Sequence, residues 1–388
     1  MIIFSIFILP PIEIRENFPK VRLEDFLILL VFIILCYKNN IIIDHKLKIY
    51  ISFLFIYSLW ITLTTIINIS FISHRGIYEI LKILKYILII MIGYYCYDKS
   101  INLDKLINNI FIIMAIFNFL CYFNILNFFY IVKPYFYSLN PFHYDSNIHL
   151  MELGIPIRLL GTMGNPNTNA ILYSFFIIYY FIMYRNDKKL VYVIYLILSI
   201  VIFLFSNSRT LFIALIIVFE IYFIAIKRDL IMSLFSMLVI ILIILLLVNF
   251  KEFYYLTSLF TRPISQNSSL LKRFEIWERL ISMVGYDHFI FGFGPYKEFF
   301  YQNNLMAESE YILMYWRYGI LGLILHLFLI FIPLFLVTKK RNDKYISILF
   351  MFSIIILISS LTMAPLTEPR FNALYAVLVG LSYRSLAN

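Results

Sequence analysis

Long apolar runs separated by short polar breaks repeat along the whole chain. A helix of roughly 20 apolar residues spans the ~30 Å hydrocarbon core of a bilayer, and most of these runs approach that length. The runs lie near residues 1–11, 22–37, 48–67, 78–97, 106–129, 169–184, 190–206, 210–226, 230–249, 309–337, 345–362 and 371–386. The pattern therefore predicts an all-α polytopic membrane protein of about twelve transmembrane helices, forming a single integral membrane domain over residues 1–388.

The composition supports lipid as the main solvent. Hydrophobic residues make up 62% of the chain, charged residues 14%, and the mean hydropathy is +0.89. The first segment, MIIFSIFILPP, lacks a basic start and a small-residue cleavage site, so it predicts a short first span rather than a signal peptide. The net charge of +10 does not indicate nucleic-acid binding, because the basic residues fall in loops between spans.

The distribution of basic residues predicts the orientation. With the N-terminus in the cytoplasm, the inside loops hold fifteen Lys and Arg, whereas the short outside loops hold six. The positive-inside rule then places both termini in the cytoplasm and predicts a multi-pass protein of the bacterial cytoplasmic membrane.

Two connections, 130–168 and 250–308, are too long to be simple turns, and this orientation places both on the outer face. The second contains LLKRFEIWERLISMV, whose apolar spacing predicts an amphipathic helix at the interface. A transporter more often shows two similar halves, and no internal repeat is evident here. The two connections are therefore the expected location of function.

Arginines in or beside these outer segments suit the oxygens of a diphosphate, because guanidinium offers a planar fork of donors. Arg209 follows Ser206-Asn207-Ser208 at a helix start, where capping side chains and the positive helix end are expected to meet. The segment RLLGTMGNPNTN predicts a tight turn and then a capped helix start. The arginines are Arg158, Arg209, Arg262, Arg273, Arg279 and Arg370. Each has an alternative interpretation as a solvated or headgroup-contacting residue.

Glu308 and Glu310 lie where the second long connection re-enters the membrane, so one of them could act as a base or simply favour a helix N-terminus. Arg317 lies about two turns further in, where only a polar cavity, a partner acid or snorkelling accounts for a guanidinium. Lys82 and Lys85 could line the same vestibule or pair with Glu79. The outer histidines and the three cysteines have no ligand spacing, so no metal or cofactor is predicted.

Four segments in order resemble the O-antigen polymerase and O-antigen ligase superfamily. They are RLLGTMGNPNTNA, SNSRTLFIAL, RFEIWERLISMVGYDHFIFGFGP and ESEYILMYWRYGILGL. The resemblance implies a membrane glycosyltransferase architecture of the GT-C-like kind and substrates linked to undecaprenyl diphosphate. It also implies that Arg209 and Arg273 contact the diphosphate, with Asn165 and Asn167 in support.

One departure bears on the reaction. Ligases of this superfamily usually carry a His-Asn pair where this chain has Glu308-Ser309. The expected function is therefore a metal-independent polysaccharide polymerase, with Arg158, Arg317 and Arg370 as further substrate-binding residues. Such an enzyme would make O-antigen, capsule or another exopolysaccharide, alongside a chain-length regulator and a flippase. The alternatives are an O-antigen ligase, a lipid-linked oligosaccharide flippase or exporter, and a structural membrane scaffold.

Overall fold

Helices form every regular element in the described part of the chain. The computed structural model describes residues 8–10, 22–38, 43–70, 74–97, 103–137, 142–152, 157–253, 255–257, 268–303, 305–337 and 343–387. We number the α-helices in chain order: α1 (Leu23–Lys38), α2 (His45–Ile67), α3 (His74–Cys96), α4 (Leu103–Tyr122), α5 (Phe128–Ile131), α6 (Phe142–Glu152), α7 (Pro166–Asp187), α8 (Leu190–Phe205), α9 (Arg209–Ile221), α10 (Leu230–Leu247), α11 (Ser268–Val284), α12 (Lys297–Gln302), α13 (Glu310–Val337), α14 (Lys344–Ser359) and α15 (Pro369–Ala387).

The helices follow the predicted apolar runs. The run 1–11 lies outside the described residues except for 8–10, and each of the other predicted runs coincides with a helix. Four helices of the described chain are long and apolar enough to cross a membrane, namely His45–Ile67, Leu103–Tyr122, Leu230–Leu247 and Glu310–Phe335. The all-helical class is confirmed, while the count of twelve spans stays a prediction.

The centre of the bundle is built from α7, α14 and α15, whose side chains are buried on almost every face. The α3 and α15 helices make the most extensive contact, because two glycines allow their backbones to touch. A Cβ atom added at Gly93 would lie 2.7 Å from the Val377 carbonyl oxygen, and one at Gly380 would lie 2.2 Å from that of Ile90. Small residues are what permit such close helix packing in a membrane.

The α11 helix confirms the amphipathic prediction in the 250–308 connection. Its buried residues Leu280 and Val284 form a small apolar cluster with Leu305, Ala307 and Trp316. This packing attaches the connection to the start of α13. The side chains of Arg273 and Arg279 lie on the same helix, with Arg279 exposed.

The α13 helix is interrupted at Gly319, whose backbone has φ 66° and ψ −170°. The predicted span 309–337 coincides with this helix, and the apolar pattern gives no sign of the interruption. Residues 289–294 fill the break. The backbone N–H groups of Phe293 and Gly294 donate to the carbonyls of Trp316 (3.0 Å) and Arg317 (2.7 Å), and Ile320 N–H donates to Phe289 O at 2.9 Å. The inserted segment gives hydrogen-bond partners to backbone N–H and C=O groups that would have none in hydrocarbon.

Replacing Gly319 by alanine is expected to destabilise the protein strongly. A Cβ atom there would lie 2.0 Å from the Ile290 carbonyl oxygen, and the φ of +66° is itself unfavourable for alanine. We expect a loss of about 3–5 kcal/mol, which combines backbone strain with steric overlap. Thermal unfolding of the detergent-solubilised protein measures this loss of stability.

Gly285→Ala is the matched control, because Gly285 also has a positive φ but a Cβ atom there would meet nothing within 4 Å. Gly285→Ala should lower the free energy of unfolding only by the backbone strain of an alanine at positive φ, roughly 1–2 kcal/mol. Equal losses of stability in the two variants would contradict the importance of the insertion.

Candidate functional site

The segment before α7 forms the predicted turn and helix start. Asn165 is the N-cap residue, and its Oδ1 accepts a hydrogen bond from Asn167 N–H at 2.8 Å, with Pro166 at the first helical position. The turn contains Gly161 and Gly164, both with positive φ. The prediction from GTMGNPN is confirmed, and the cap fixes the side chain of Asn165.

Arg158 binds this helix start to the next one. Its Nη2 donates to Asn167 Oδ1 at 2.9 Å and to the Asn207 carbonyl at 3.3 Å, and its Nε donates to the Ser206 carbonyl at 3.3 Å. Because these carbonyls precede α9, the guanidinium connects the 157–167 segment to the segment that carries Arg209. The structure thus brings together three residues that the sequence predicts for the site, namely Arg158, Asn167 and Arg209.

Tyr255 lies against two guanidinium groups. Its ring centroid is 4.5 Å from Arg158 Cζ and 4.3 Å from Arg209 Cζ, and Arg209 Nη2 donates to its hydroxyl at 3.0 Å. These are cation–π distances. Ser208 is the N-cap of α9 but its side chain makes no capping hydrogen bond, so the expected capping role is wrong. Neighbouring Ser206 and Asn207 instead offer their carbonyls to Arg158.

Arg273 joins this group from α11 and forms an ion pair with Glu308. Arg273 lies near enough to Arg158 to affect its ionisation. The pKa of Arg158 is lowered to about 10, chiefly by burial. Tyr255 acts to raise this pKa, and the charges of Arg209 and Arg273 act to lower it. We call Arg158, Arg209 and Arg273 the arginine cluster.

The ionisation of Tyr255 reflects the same concentration of positive charge. Burial alone would raise the pKa of its hydroxyl, but the three arginines outweigh burial and lower the pKa below its ordinary value. A phenol whose anion is favoured marks a position where negative charge is stabilised. The arginine cluster therefore has the electrostatics of an anion site.

The two candidate glutamates have different environments. Glu308 is exposed, and it lines a cavity of about 490 Å³ besides pairing with Arg273. Glu310 is 0% exposed, and its Oε2 accepts from Ser360 Oγ at 3.0 Å and from Leu366 N–H at 3.1 Å. Its Oε1 lies 3.5 Å from His326 Nε2. Glu308 alone of the two faces open space.

The other two predicted arginines lie apart from the cluster. Arg370 is buried and donates to the Thr162 carbonyl at 2.9 Å, so it supports the turn before α7. Arg317 lines the cavity with Glu308. Lys82 also lines it and pairs with Glu79 at 2.9 Å, whereas Lys85 pairs with Asp25 at 2.5 Å.

The sequence did not identify Tyr255 or His143 as site residues. His143 Nε2 is 3.0 Å from Asn165 Nδ2. His143 has no metal-ligand spacing to other residues, and Tyr255 is one of 31 tyrosines, so neither carries a local signal. Arg262 lies outside the described residues. Within those residues, no group of three or more His, Cys, Asp or Glu side chains could hold a metal ion.

A comparison with family models adds independent evidence. The model described as O-antigen ligase matches residues 194–327, about a third of the chain. This part of the chain is a domain of the O-antigen ligase and polymerase family. Members of this family are membrane enzymes that transfer lipid-linked glycans. Comparisons with curated proteins and with solved structures give no match.

The O-antigen ligase match covers Arg209, Arg273, Glu308 and Arg317. It extends from the second turn of α8 to beyond the break in α13. Arg158 lies outside the matched residues and contacts them at the Ser206 and Asn207 carbonyls, while Asn165 is linked to Arg158 through Asn167. The four helix-linked segments of the resemblance therefore meet at one place.

Acidification is expected to weaken the site at His143. Asn165 Oδ1 is used in the helix cap, so its Nδ2 faces His143, whose Nε2 must accept and be unprotonated. Burial lowers the pKa of His143, Arg158 lowers it further and Glu308 opposes. In the unfolded chain His143 has its ordinary pKa of about 6.5, and in the folded protein its pKa is lower. Below pH 6.5 the unfolded chain therefore binds more protons than the folded protein. The free energy of unfolding is thus highest above pH 6.5 and decreases as the pH falls through the folded-state pKa of His143.

The measurement is the midpoint of thermal unfolding between pH 7.5 and pH 5. His143→Gln should reduce the dependence on pH, whereas His149→Gln on the same helix should not. An unchanged pH profile in His143→Gln would contradict the assignment.

Proposed function

We propose that the protein is a polysaccharide polymerase that transfers a growing glycan from undecaprenyl diphosphate to a sugar hydroxyl of another lipid-linked repeat unit. The observation that carries the proposal is the convergence of Arg158, Arg209 and Arg273, with Glu308 paired to Arg273 at the edge of a cavity. Three cations beside one acidic group fit a diphosphate leaving group and a base.

In this reaction the acceptor hydroxyl oxygen attacks the anomeric carbon of the donor. The bond from that carbon to the phosphate oxygen breaks, and the electron pair leaves with undecaprenyl diphosphate. The arginine cluster stabilises the negative charge that develops on the leaving oxygens. The acceptor proton passes to Glu308, so atoms and charges balance without a further reactant.

The Arg273–Glu308 ion pair gives the order of events. While the two are paired, Oε2 of Glu308 is occupied by the Arg273 guanidinium and cannot accept a proton from an acceptor hydroxyl. A diphosphate carries more negative charge than one carboxylate and competes for Arg273. Binding of the donor therefore releases Glu308 at the moment when an acceptor proton has to be removed.

Polymerase is preferred to ligase because Glu308-Ser309 stands where ligases usually have His-Asn. The proposal includes an enzyme of the bacterial cytoplasmic membrane with both termini in the cytoplasm and the site on the outer face. It also includes the predicted architecture of a GT-C-like glycosyltransferase, with a chain-length regulator and a flippase as partners. The basic residues of the predicted inside loops support this orientation.

Replacing Arg273 should remove much of the transfer activity. Arg273→Lys keeps the charge but loses the planar fork, so kcat should fall about 10²–10³-fold, as when a donor to a developing oxyanion is removed. Purified protein in liposomes with lipid-linked repeat units, and products resolved by chain length, give the rate. Arg279→Lys, an exposed arginine on the same helix, should retain wild-type rates. Equal rates for the two variants would exclude Arg273 from the site.

The same assay separates the two glutamates. Glu308→Gln should lower kcat about 10²–10⁴-fold, because no base remains. Glu310→Gln should lower the free energy of unfolding by about 1–3 kcal/mol, because buried hydrogen bonds are lost. Its kcat per folded molecule should stay within about threefold of the wild-type value. A larger loss of kcat in Glu310→Gln would make Glu310 the base.

A further inference from the structure

A second basic site lies beside the arginine cluster, in the cavity that Glu308 lines. Its charged lining consists of Glu79, Lys82, Lys297, Glu308 and Arg317. The volume of about 490 Å³ falls in the range of roughly 300–1,000 Å³ that is usual for small-ligand pockets. Because Glu308 is paired with Arg273, three cations of the cavity face a single remaining carboxylate.

That carboxylate, Glu79, holds two of the three cations. Its Oε1 lies 2.9 Å from Lys82 Nζ and 2.5 Å from Lys297 Nζ. One carboxylate neutralises one positive charge, so the group keeps an excess of positive charge. Burial lowers the pKa of Lys297, and Lys82 and Arg317 act in the same direction against Glu79. The site is thus short of negative charge.

Arg317 is the least satisfied cation of this cavity among the described residues. Its side chain is 8% exposed and lines the cavity, and its Nε has no hydrogen-bond partner among the described residues. No ion pair of Arg317 occurs in the same residues, and its Cζ lies 5.9 Å from the Phe300 ring. A buried guanidinium that makes no ion pair of its own is unfavourable, and the nearby Glu79 carboxylate is already paired with Lys82 and Lys297.

The break in α13 holds Arg317 in this position. Its carbonyl accepts from Gly294 N–H at 2.7 Å, and a Cβ atom added at Gly292 would lie 2.5 Å from its carbonyl carbon. The inserted segment therefore fixes the backbone from which the guanidinium extends. Its place in the cavity follows from main-chain packing and not from side-chain attraction.

We propose that Lys82, Lys297 and Arg317 bind an anionic group of the acceptor substrate, a phosphate or a carboxylate. The proposal rests on the proposed function, because it assigns this cavity to the acceptor and the arginine cluster to the donor. Glu308 lines the cavity and pairs with the cluster, so it lies between the two sites. An acceptor anchored here presents its hydroxyl to the base from the side opposite the leaving group.

Binding to the purified full chain in phosphatidylcholine nanodiscs tests the site without activity. Inorganic pyrophosphate, measured by titration calorimetry, should bind wild type at two sites. Lys297→Gln and Arg317→Gln should each weaken one site by tenfold or more and leave the other. If Arg317→Gln does not fold, Lys82→Gln replaces it in the titration, because Lys82 is partly exposed. The control is Lys85→Gln, one turn along α3 and paired outside the cavity with Asp25.

A parallel titration with glucuronate distinguishes the source of the anion. Lys297-dependent binding of pyrophosphate alone supports the diphosphate of an acceptor lipid, and Lys297-dependent binding of glucuronate alone supports an acidic sugar. If Lys297→Gln and Lys82→Gln change the binding of neither probe, the proposal is overturned.

The kinetic assay keeps this result separate from the proposed function. Lys82→Gln should raise the KM for the acceptor by tenfold or more, with little change in the KM for the donor. Glycan transfer by wild type with an unchanged acceptor KM in Lys82→Gln and Lys297→Gln overturns the acceptor site alone. Absence of transfer by wild type, with Lys297-dependent anion binding intact, overturns the polymerase and leaves an anion site.

Discussion

The interruption of α13 at Gly319 is the constraint on which the arrangement depends. A helix broken within an apolar environment leaves backbone donors and acceptors that lipid cannot satisfy, so a protein segment has to supply partners. Residues 289–294 supply them to Trp316, Arg317 and Ile320. The 250–308 connection is thereby fastened to the bundle through its main chain, and both α11 and α12 take their places from that attachment.

The site is assembled from segments far apart in the sequence. Tyr255 contacts Arg158 and Arg209, while Arg273 lies near enough to lower the pKa of Tyr255 and pairs with Glu308. None of these links is a contact between neighbours along the chain. Electrostatic repulsion among three guanidiniums is tolerated because a ring, several carbonyls and one carboxylate surround them, and this arrangement leaves their combined field available to a ligand.

The sequence could predict what depends on nearby residues. Apolar runs located the helices because backbone satisfaction in lipid leaves few alternatives, and Asn165-Pro166 located the start of α7 because a cap needs only the next few residues. The break at Gly319 could not be read from the same pattern, since glycine is common in apolar helices and its φ depends on an insertion from elsewhere. Lys297, His143 and Tyr255 were missed for the same reason, because their partners are distant.

The contact of Gly93 and Gly380 with the opposing backbones has a consequence for the distance between the two basic regions. The α3 helix carries Glu79 and Lys82, and α15 begins beside Arg370, which holds the turn that follows Arg158. Close-packed protein interiors have low compressibility, and here backbone touches backbone. This contact therefore resists any change in the distance between α3 and α15, so the spacing of the two basic regions is a fixed dimension of the protein.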